Sequence, residues 1–247
     1  MTEKIQKLLS DFGYGSRRFI EMLINHGDIY INGKKAIIGQ RLSKIDPGKI
    51  IIQGKIAILT KKTYASKILL YNKPEGEICT RYDFQKRKTV FNTLPILKNN
   101  RWISIGRLDL NTQGLLLFTN NGNLAYKLMH PKYKIEREYY IRVFGDINQN
   151  KINILKNGVK IHNKYSSFKK IEILNNTQTK KNIWLKVILC QGRNREIRLM
   201  LTAVQCQVNR LIRIRYGNII LPKSLKKGDW IELHSTLVNN LHNLVIN

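Results

Sequence analysis

Residues 106–119, GRLDLNTQGLLLFT, decide which fold the larger part of this chain can adopt. The apolar run at 115–118 is bounded by Gly114 and by turn-forming residues at 120–122, so it predicts a buried strand. A second short strand is predicted at 103–105. Asp109 lies in the loop between the two strands, among residues that favour turns. The stretch therefore predicts two strands whose connecting loop carries one carboxylate.

The sequence on either side of this stretch continues the pattern of strands with a few short helices. The predicted elements are strands at 69–71, 139–144 and 183–190, a turn at 72–76, and helices at 124–129 and at about 194–204, the latter capped by Asn194. Residues 211–216 alternate, which would place Arg213 and Arg215 on one face of a strand and Ile212 and Ile214 on the other. The sum predicts an α+β fold with more strand than helix.

Residues 1–60 form a separate predicted module. Apolar positions with helical spacing between Ile5 and Phe12 predict a first helix, and Ser16 is a suitable N-cap for a second helix. Asn32-Gly33 predicts a tight turn into a strand at 34–38, and another strand follows at 50–52. Residues 61–66 have weak periodicity and are predicted to be a linker. We expect residues 67–247 to form a second, larger domain.

The charge of the chain points to a polyanionic partner. Lys and Arg number 44 against 16 Asp and Glu, which gives a formal net charge of +28. A nucleic acid is the partner that best turns this self-repulsion into attraction. A membrane surface is a weaker candidate, and so is the alternative that the protein is basic without binding any polyanion. The sequence has neither an apolar run long enough to span a membrane nor a secretory signal. Three widely spaced cysteines fit a reducing compartment, so we expect a cytoplasmic protein.

Acidic residues are so scarce that the position of Asp109 carries information. It is the one carboxylate between Asp83 and Glu136. Surrounding positive charge favours its ionised form, which suits a nucleophile better than a general acid. The spacing alone also fits an aspartate that forms a turn or caps a helix, and it slightly favours that structural role.

The N-terminal module resembles the S4 RNA-binding domain. The resemblance rests on Ser16-Arg17-Arg18, on the segment 27–34 with its sequence GDIYINGK, and on Asp46-Pro47-Gly48. It implies that the second helix and the hairpin present a basic face to structured RNA. The residues it marks as RNA contacts are Arg17, Arg18, Lys34 and Arg41. Each of them singly could equally be a solvated surface charge.

The larger domain resembles the bacterial ribosomal RNA pseudouridine synthases that carry an S4 domain. Ordered blocks of sequence carry the resemblance from about residue 66 onward: KPEG at 73–76, GRLD at 106–109, NTQGLL at 111–116, MHP at 129–131, EREY at 136–139, GRNREIR at 192–198 and RLIRIRYG at 210–217. The resemblance implies a mixed, mostly antiparallel sheet with flanking helices. The first and last blocks are most similar to the branch that acts on large-subunit RNA.

This resemblance implies a role for four residues. Asp109 would be the catalytic nucleophile, Tyr139 would stack on the uracil, and Arg198 would pair with the carboxylate. Arg107 would enter the space left by a flipped nucleotide or hold a phosphate. Without the resemblance, the alternative for Tyr139 is a half-buried strand tyrosine, a role that Tyr140 fits better, and a surface helix arginine is the favoured interpretation of Arg198. Gln191 and Leu199 depart from the family pattern, which has an acidic residue at the first position and an arginine at the second. These departures put the strength of the RNA contacts in doubt.

The implied activity is the isomerisation of a specific uridine in ribosomal RNA, expected in 23S RNA. This reaction involves no redox change and no net hydrolysis, so we expect no cofactor and no metal; the sequence carries no zinc or phosphate-loop motif. We expect the protein to act as a monomer. The alternatives are a synthase acting on 16S RNA, a non-catalytic S4-type RNA-binding or ribosome-assembly protein, and an S4-linked RNA methyltransferase. The methyltransferase alternative is the least supported, because no glycine-rich cofactor loop follows a strand.

Overall fold

The computed structural model describes residues 2–43, 45–59, 65–97, 100–174 and 182–246. Contacts within the chain divide them into two units. Unit 1 consists of residues up to 65 together with 96–101, and unit 2 consists of 66–95 and 102 onward. Of the predicted linker at 61–66, residues 61–64 lie outside the described residues. The predicted domain boundaries stay a prediction.

Unit 1 packs two helices against short strands. Its elements are β1 (Thr2–Lys4), α1 (Ile5–Asp11), α2 (Arg17–His26), β2 (Ile29–Ile31), β3 (Lys34–Lys35), β4 (Arg41–Ser43), β5 (Ile50–Ile52) and β6 (Lys55–Ile56). The strands pair in the order β3-β2-β5-β6, and β1 pairs with β4. Ile5, Leu9, Ile20 and Ile29 are completely buried in its core.

Two local predictions for unit 1 are confirmed. The Ser16 hydroxyl accepts a hydrogen bond from the backbone N–H of Phe19, at 3.0 Å, and so caps α2. Asn32 and Gly33 have φ values of 48° and 80°, the left-handed pair that a two-residue hairpin turn requires. The strand after this turn is shorter than predicted and ends at Lys35.

Unit 2 is built on a nine-stranded sheet. Its elements are β7 (Ile68–Lys73), β8 (Ile103–Ile105), β9 (Gln113–Thr119), α3 (Gly122–Met129), a 3-10 turn (Pro131–Tyr133), β10 (Arg137–Phe144), α4 (Gln149–Asn157), β11 (Val159–Ile161), β12 (Lys164–Ser166), β13 (Lys170–Ile173), β14 (Asn182–Leu189), α5 (Glu196–Ala203), β15 (Gln207–Tyr216), β16 (Ile219–Ile220), β17 (Trp230–Glu232) and α6 (Ser235–Asn243). The strand order is β13-β14-β10-β15-β9-β7-β17, with β16 on β15 and β8 on β9.

The sheet is mixed, and its parallel pairing lies at its centre. β15 runs parallel to β9, whereas the other named strand pairs of this sheet are antiparallel. Gly114 pairs with Arg213 in this parallel contact and has a φ of 101°, and a Cβ there would lie 2.2 Å from the carbonyl oxygen of Arg213. Glycine is therefore required where the Asp109 loop enters the sheet. The α+β fold with a mixed, mostly antiparallel sheet is confirmed.

A β-bulge changes which side chains of β15 face the same way. Glu138 of β10 lies opposite Arg215, but its neighbour Tyr139 lies opposite Arg213, so Ile214 is an extra residue. One extra residue reverses the faces of the side chains on either side of it. Arg213 lines the same cavity as Tyr139, whereas Arg215 pairs with Glu138. The prediction that Arg213 and Arg215 share a face is wrong for this reason.

Two further local predictions are wrong. Helix α5 begins at Glu196 after a left-handed Arg195, and the Glu196 carboxylate accepts the backbone N–H of Arg193 at 3.0 Å, so Asn194 is not its cap. The turn predicted at 72–76 starts later, because β7 continues to Lys73. In the part of the chain that the structure describes, no helix is long and apolar enough to cross a membrane.

Candidate active site

One cavity of unit 2, about 1110 Å³ in volume, collects the site residues predicted for the larger domain. Arg107 and Asp109 reach it from the loop between β8 and β9, Tyr139 from β10 and Arg198 from α5. All four line it, although they come from three separate parts of the sequence. The fold therefore brings these four residues together.

The lining of this cavity is strongly basic. Three carboxylates, those of Asp83, Asp109 and Glu196, line it against eight basic side chains. The basic residues are Arg87, Arg107, Arg137, Lys164, Arg193, Arg195, Arg198 and Arg213. Such a concave, cationic surface attracts a polyanion and raises its local concentration.

The Asp109 loop is held by a buried lysine. Lys73 is completely inaccessible to solvent, and burial lowers the pKa of its ammonium group. The ammonium donates hydrogen bonds to the backbone carbonyls of Asp109 at 3.2 Å, Leu110 at 3.3 Å and Thr112 at 3.0 Å, and to that of Pro74 at 2.9 Å. A buried ammonium is tolerated only with such partners, so the loop and the lysine fix each other.

The segment after Lys73 holds the same loop at two more points. The Cys79 thiol donates to the carbonyl of Leu108 at 3.2 Å, and the N–H of Leu108 donates back to its sulfur at 3.4 Å. The backbone N–H of Gly76 donates to the carbonyl of Leu110 at 3.0 Å. Burial raises the pKa of Cys79, which keeps the thiol protonated and able to donate.

The carboxylate of Asp109 is exposed at the end of this rigid support. Within the described residues it has no hydrogen-bond or ion-pair partner. The guanidinium of Arg198 donates instead to the carbonyls of Asn111 and Val208, each at 3.0 Å. Burial lowers the pKa of Arg198, and the charge of Asp109 opposes that shift. The two charges thus interact across the cavity, and a direct ion pair between them stays a prediction.

Tyr139 belongs to a buried floor of aromatic and cationic side chains. It is buried and lies opposite Arg213 in the strand register. The guanidinium groups of Arg137 and Arg213 lie over the ring of Tyr216, which lines the same cavity, at 4.9 Å and 5.1 Å from the ring centre. Arg137 also donates to the Tyr216 hydroxyl at 3.1 Å, and Arg213 donates to the carbonyl of Leu115 at 2.7 Å. Cation–π contacts and hydrogen bonds therefore hold this floor in addition to the aliphatic core, against which Tyr216 also packs.

Sequence reasoning missed several of these residues. Lys73 and Arg137 belong to blocks that carry the resemblance, but no role was assigned to them. Cys79 was seen as one of three scattered cysteines. Arg213 was placed on the wrong face. Lys73 and Arg137 each adjoin a strand-forming run, but a cation there predicts burial only if its partners are known, and most of those partners are distant backbone carbonyls.

The four residues predicted to contact RNA in unit 1 lie on its surface. Lys34 and Arg41 line a second cavity of about 480 Å³ with Asn32 and Asp46. Arg17 and Arg18 form the exposed first turn of α2. Of the two positions that depart from the family pattern, Gln191 lines the larger cavity and Leu199 is half-buried on α5.

Comparisons with known proteins agree on one family. Residues 67–203 match the family model described as RNA pseudouridylate synthase, and residues 3–44 match the S4 domain. A protein of Buchnera aphidicola subsp. Acyrthosiphon pisum, named ribosomal large subunit pseudouridine synthase B, is 64% identical over 99% of this chain and 98% of its own. The protein of the same name from Salmonella typhi is 47% identical over 99% of this chain and 84% of its own. A crystal structure described as a pseudouridylate synthase shares the fold, with a TM-score of 0.66 at 20% identity over 96% of this chain and 99% of that one.

Proposed function

Because the chain belongs to the RNA pseudouridylate synthase family, we propose that it isomerises uridine to pseudouridine in the ribosomal RNA of the large subunit. The relatives at 47–64% identity carry large-subunit names and are matched over nearly the whole chain. We propose Asp109 as the nucleophile, with Tyr139, Arg198 and Arg107 as the residues that bind the substrate around it. The RNA is held in addition by Arg17, Arg18, Lys34 and Arg41 of unit 1.

The observation that carries this proposal is the setting of Asp109. Its carboxylate is unpaired within the described residues, yet the backbone on which it stands is held by the buried Lys73. A nucleophile needs an accessible group in a fixed position, and this arrangement supplies both. A non-catalytic RNA-binding protein has no need for Asp109, Tyr139 and Arg198 to share a cavity, which they do.

The reaction can be written with this carboxylate and without a redox partner. Asp109 attacks C1′ of the ribose as the C1′–N1 bond breaks, so the uracil leaves as an anion and the sugar stays on the enzyme. The base turns, its C5 bonds to C1′ and displaces the carboxylate, and C5 then loses its proton while N1 gains one. A route through a glycal intermediate uses the same carboxylate as a base. In both routes the hydrogen on C5 exchanges into water.

Access to the carboxylate requires that the uridine leave its helix or loop. A nucleotide inside a stacked helix cannot place its C1′ in a cavity, so the base has to flip out. Tyr139, which lines the cavity, would lie against the flipped ring, where its stacking and its hydroxyl near C5 would both favour the product-forming orientation. Arg107, exposed on the same rim as Asp109, is suited to a phosphate or to the gap left in the RNA.

Tritium release tests the proposal directly. Large-subunit RNA transcribed with uridine tritiated at C5 is incubated with the protein, and radioactivity in water is measured. We expect one tritium released per modified uridine. If the folded protein binds the RNA but releases no tritium, either from this RNA or from 16S RNA, the chain is not a synthase. Release of tritium from 16S RNA alone would mean that the substrate is the small-subunit RNA.

A further inference from the structure

Two aromatic rings stand almost fully in solvent on a loop of unit 2. Tyr82 is 71% exposed and Phe84 is 89% exposed. Their ring centres are 5.1 Å apart, and their planes meet at 82°. An exposed pair of large apolar side chains costs free energy in solution unless a partner covers it.

The loop that carries the rings has a defined structure. The Asp83 carboxylate accepts three hydrogen bonds from Arg87, one from its backbone N–H and two from its guanidinium, at 2.7–3.0 Å. These bonds lower the pKa of Asp83 to about 2, so the clamp persists at neutral pH. The Thr80 hydroxyl donates to the carbonyl of Tyr82 at 2.9 Å.

The base of the loop is fixed as well. The backbone of Ile78 makes two hydrogen bonds across it: its N–H donates to the carbonyl of Lys88 at 3.1 Å, and its carbonyl accepts from the N–H of Val90 at 3.0 Å. Lys88 forms an ion pair of 2.9 Å with the buried Glu77. The rings are therefore presented by a braced turn, which lowers the entropy that binding would cost.

The loop is part of the wall of the Asp109 cavity. Tyr82, Asp83 and Arg87 line that cavity together with Asp109 itself, and all of them belong to unit 2. A polymeric ligand that places one of its groups at Asp109 therefore passes this loop. The cavity wall is basic, so the polymer that it attracts is a polyanion.

We propose that Tyr82 and Phe84 form a stacking platform for an unpaired RNA base next to the nucleotide that enters the cavity. Aromatic side chains beside a cationic groove are the means by which proteins hold single-stranded RNA without reading its sequence. An acidic peptide would use the charge but not the flat rings. The proposal rests on the proposed function, because it assumes that the polyanion is RNA.

RNA affinity and its salt dependence test the platform. The probe is an unmodified large-subunit RNA fragment that the wild-type protein binds. Stacking on an aromatic ring is worth about 1–3 kcal/mol per base, so the double variant Tyr82→Ala/Phe84→Ala should bind the RNA about 5- to 150-fold more weakly. The slope of log Kd against log salt should not change, because no charge is removed. Tyr82→Trp/Phe84→Trp should bind as wild type does.

The matched control is Phe144→Ala, which removes a ring that is 42% exposed at the far end of β10 and outside the cavity lining. It should leave the affinity unchanged, and all variants should keep the wild-type thermal midpoint. Unchanged affinity in the double alanine variant overturns the platform, and so does equal loss in the tryptophan variant, which would mean that the loop shape alone matters. Reduced binding by the alanine variant, in a protein that releases no tritium, would uphold the platform and overturn the synthase.

Discussion

The buried ammonium of Lys73 lies 3.2 Å from the backbone carbonyl oxygen of Asp109, so a side chain with no access to solvent supports the loop that exposes the Asp109 carboxylate. The support reaches the backbone and leaves the carboxylate free. A charge pair between the two side chains would have bound the carboxylate and reduced its nucleophilicity. The carbonyl contacts fix its position without that cost.

Replacing Lys73 with Met should damage both stability and turnover. The variant leaves the buried carbonyls around the loop without their donor, so we expect the free energy of unfolding to fall by about 3 kcal/mol. Because the loop then moves, kcat should fall more than the affinity for RNA. Urea unfolding and tritium release measure the two effects. Lys156→Met, an exposed lysine on α4, is the control, and equal behaviour of the two variants would contradict the role of Lys73.

Asp109→Asn should fold, bind RNA and fail to turn over. The amide keeps the shape of the side chain but is a poor nucleophile, so we expect kcat to drop on the order of 10⁴-fold or more. The loop contacts involve the backbone of residue 109, which the substitution does not alter. Single-turnover tritium release is the measurement, and Asp229→Asn, an exposed carboxylate outside the cavity lining, is the control. Appreciable turnover by Asp109→Asn would remove this residue from the reaction.

Cys79→Ala should lower kcat with little change in KM. The thiol makes two hydrogen bonds to the peptide of Leu108, and the loss of a neutral hydrogen bond near the reacting group corresponds to about a five- to tenfold slower step. Cys79→Ser keeps a donor and an acceptor at this position, so it should recover most of the rate. A steady-state comparison of the two variants decides the matter: equal rates would mean that the thiol only fills space.

Apolar runs are local signals and were sufficient to predict the fold class, whereas the four residues that line one cavity were predicted through the motifs that carry the family resemblance. The sequence was not sufficient for the two features that depend on pairing between distant strands. The bulge at Ile214 exists only because β10 shifts its register on β15, and no pattern within residues 211–216 shows it. The role of Lys73 depends on carbonyls about 36 residues further along the chain. Both are properties of contacts, not of composition.

An ion network on the face of the sheet opposite Tyr139 should make stability depend on acid pH. Hydrogen bonds from Lys169 and Arg215 lower the pKa of Glu136. Burial alone would raise the pKa of Glu138, but Arg215 and Lys186 outweigh it and lower that pKa too. A carboxyl group whose pKa is lower in the folded state stabilises the fold above its unfolded pKa, near 4.3, and that stability is lost as pH falls through the folded pKa.

We therefore expect the free energy of unfolding to decrease below about pH 4.3 and the decrease to be smaller in Arg215→Met, which removes the partner shared by both carboxylates. The variant should be less stable at pH 7 and approach the wild type at low pH. Urea unfolding from pH 3 to 7 measures this. Parallel curves for the two proteins would show that Arg215 does not set the pKa of either glutamate.

Unit 1 should contribute to RNA binding through charge rather than through sequence recognition. Arg17, Arg18, Lys34 and Arg41 are exposed, so each can meet a phosphate without a large loss of hydration. Each phosphate contact that is removed should reduce the slope of log affinity against log salt by about 0.7–0.9. We therefore test two double variants, Arg17→Gln/Arg18→Gln and Lys34→Gln/Arg41→Gln. Each should bind RNA more weakly at low salt and reduce the slope by up to twice this amount. Neither should change the single-turnover rate constant on saturating RNA. A double variant of Lys55 and Lys156, both exposed, controls for net charge; if it reduces the slope equally, the binding face is not where these four residues place it.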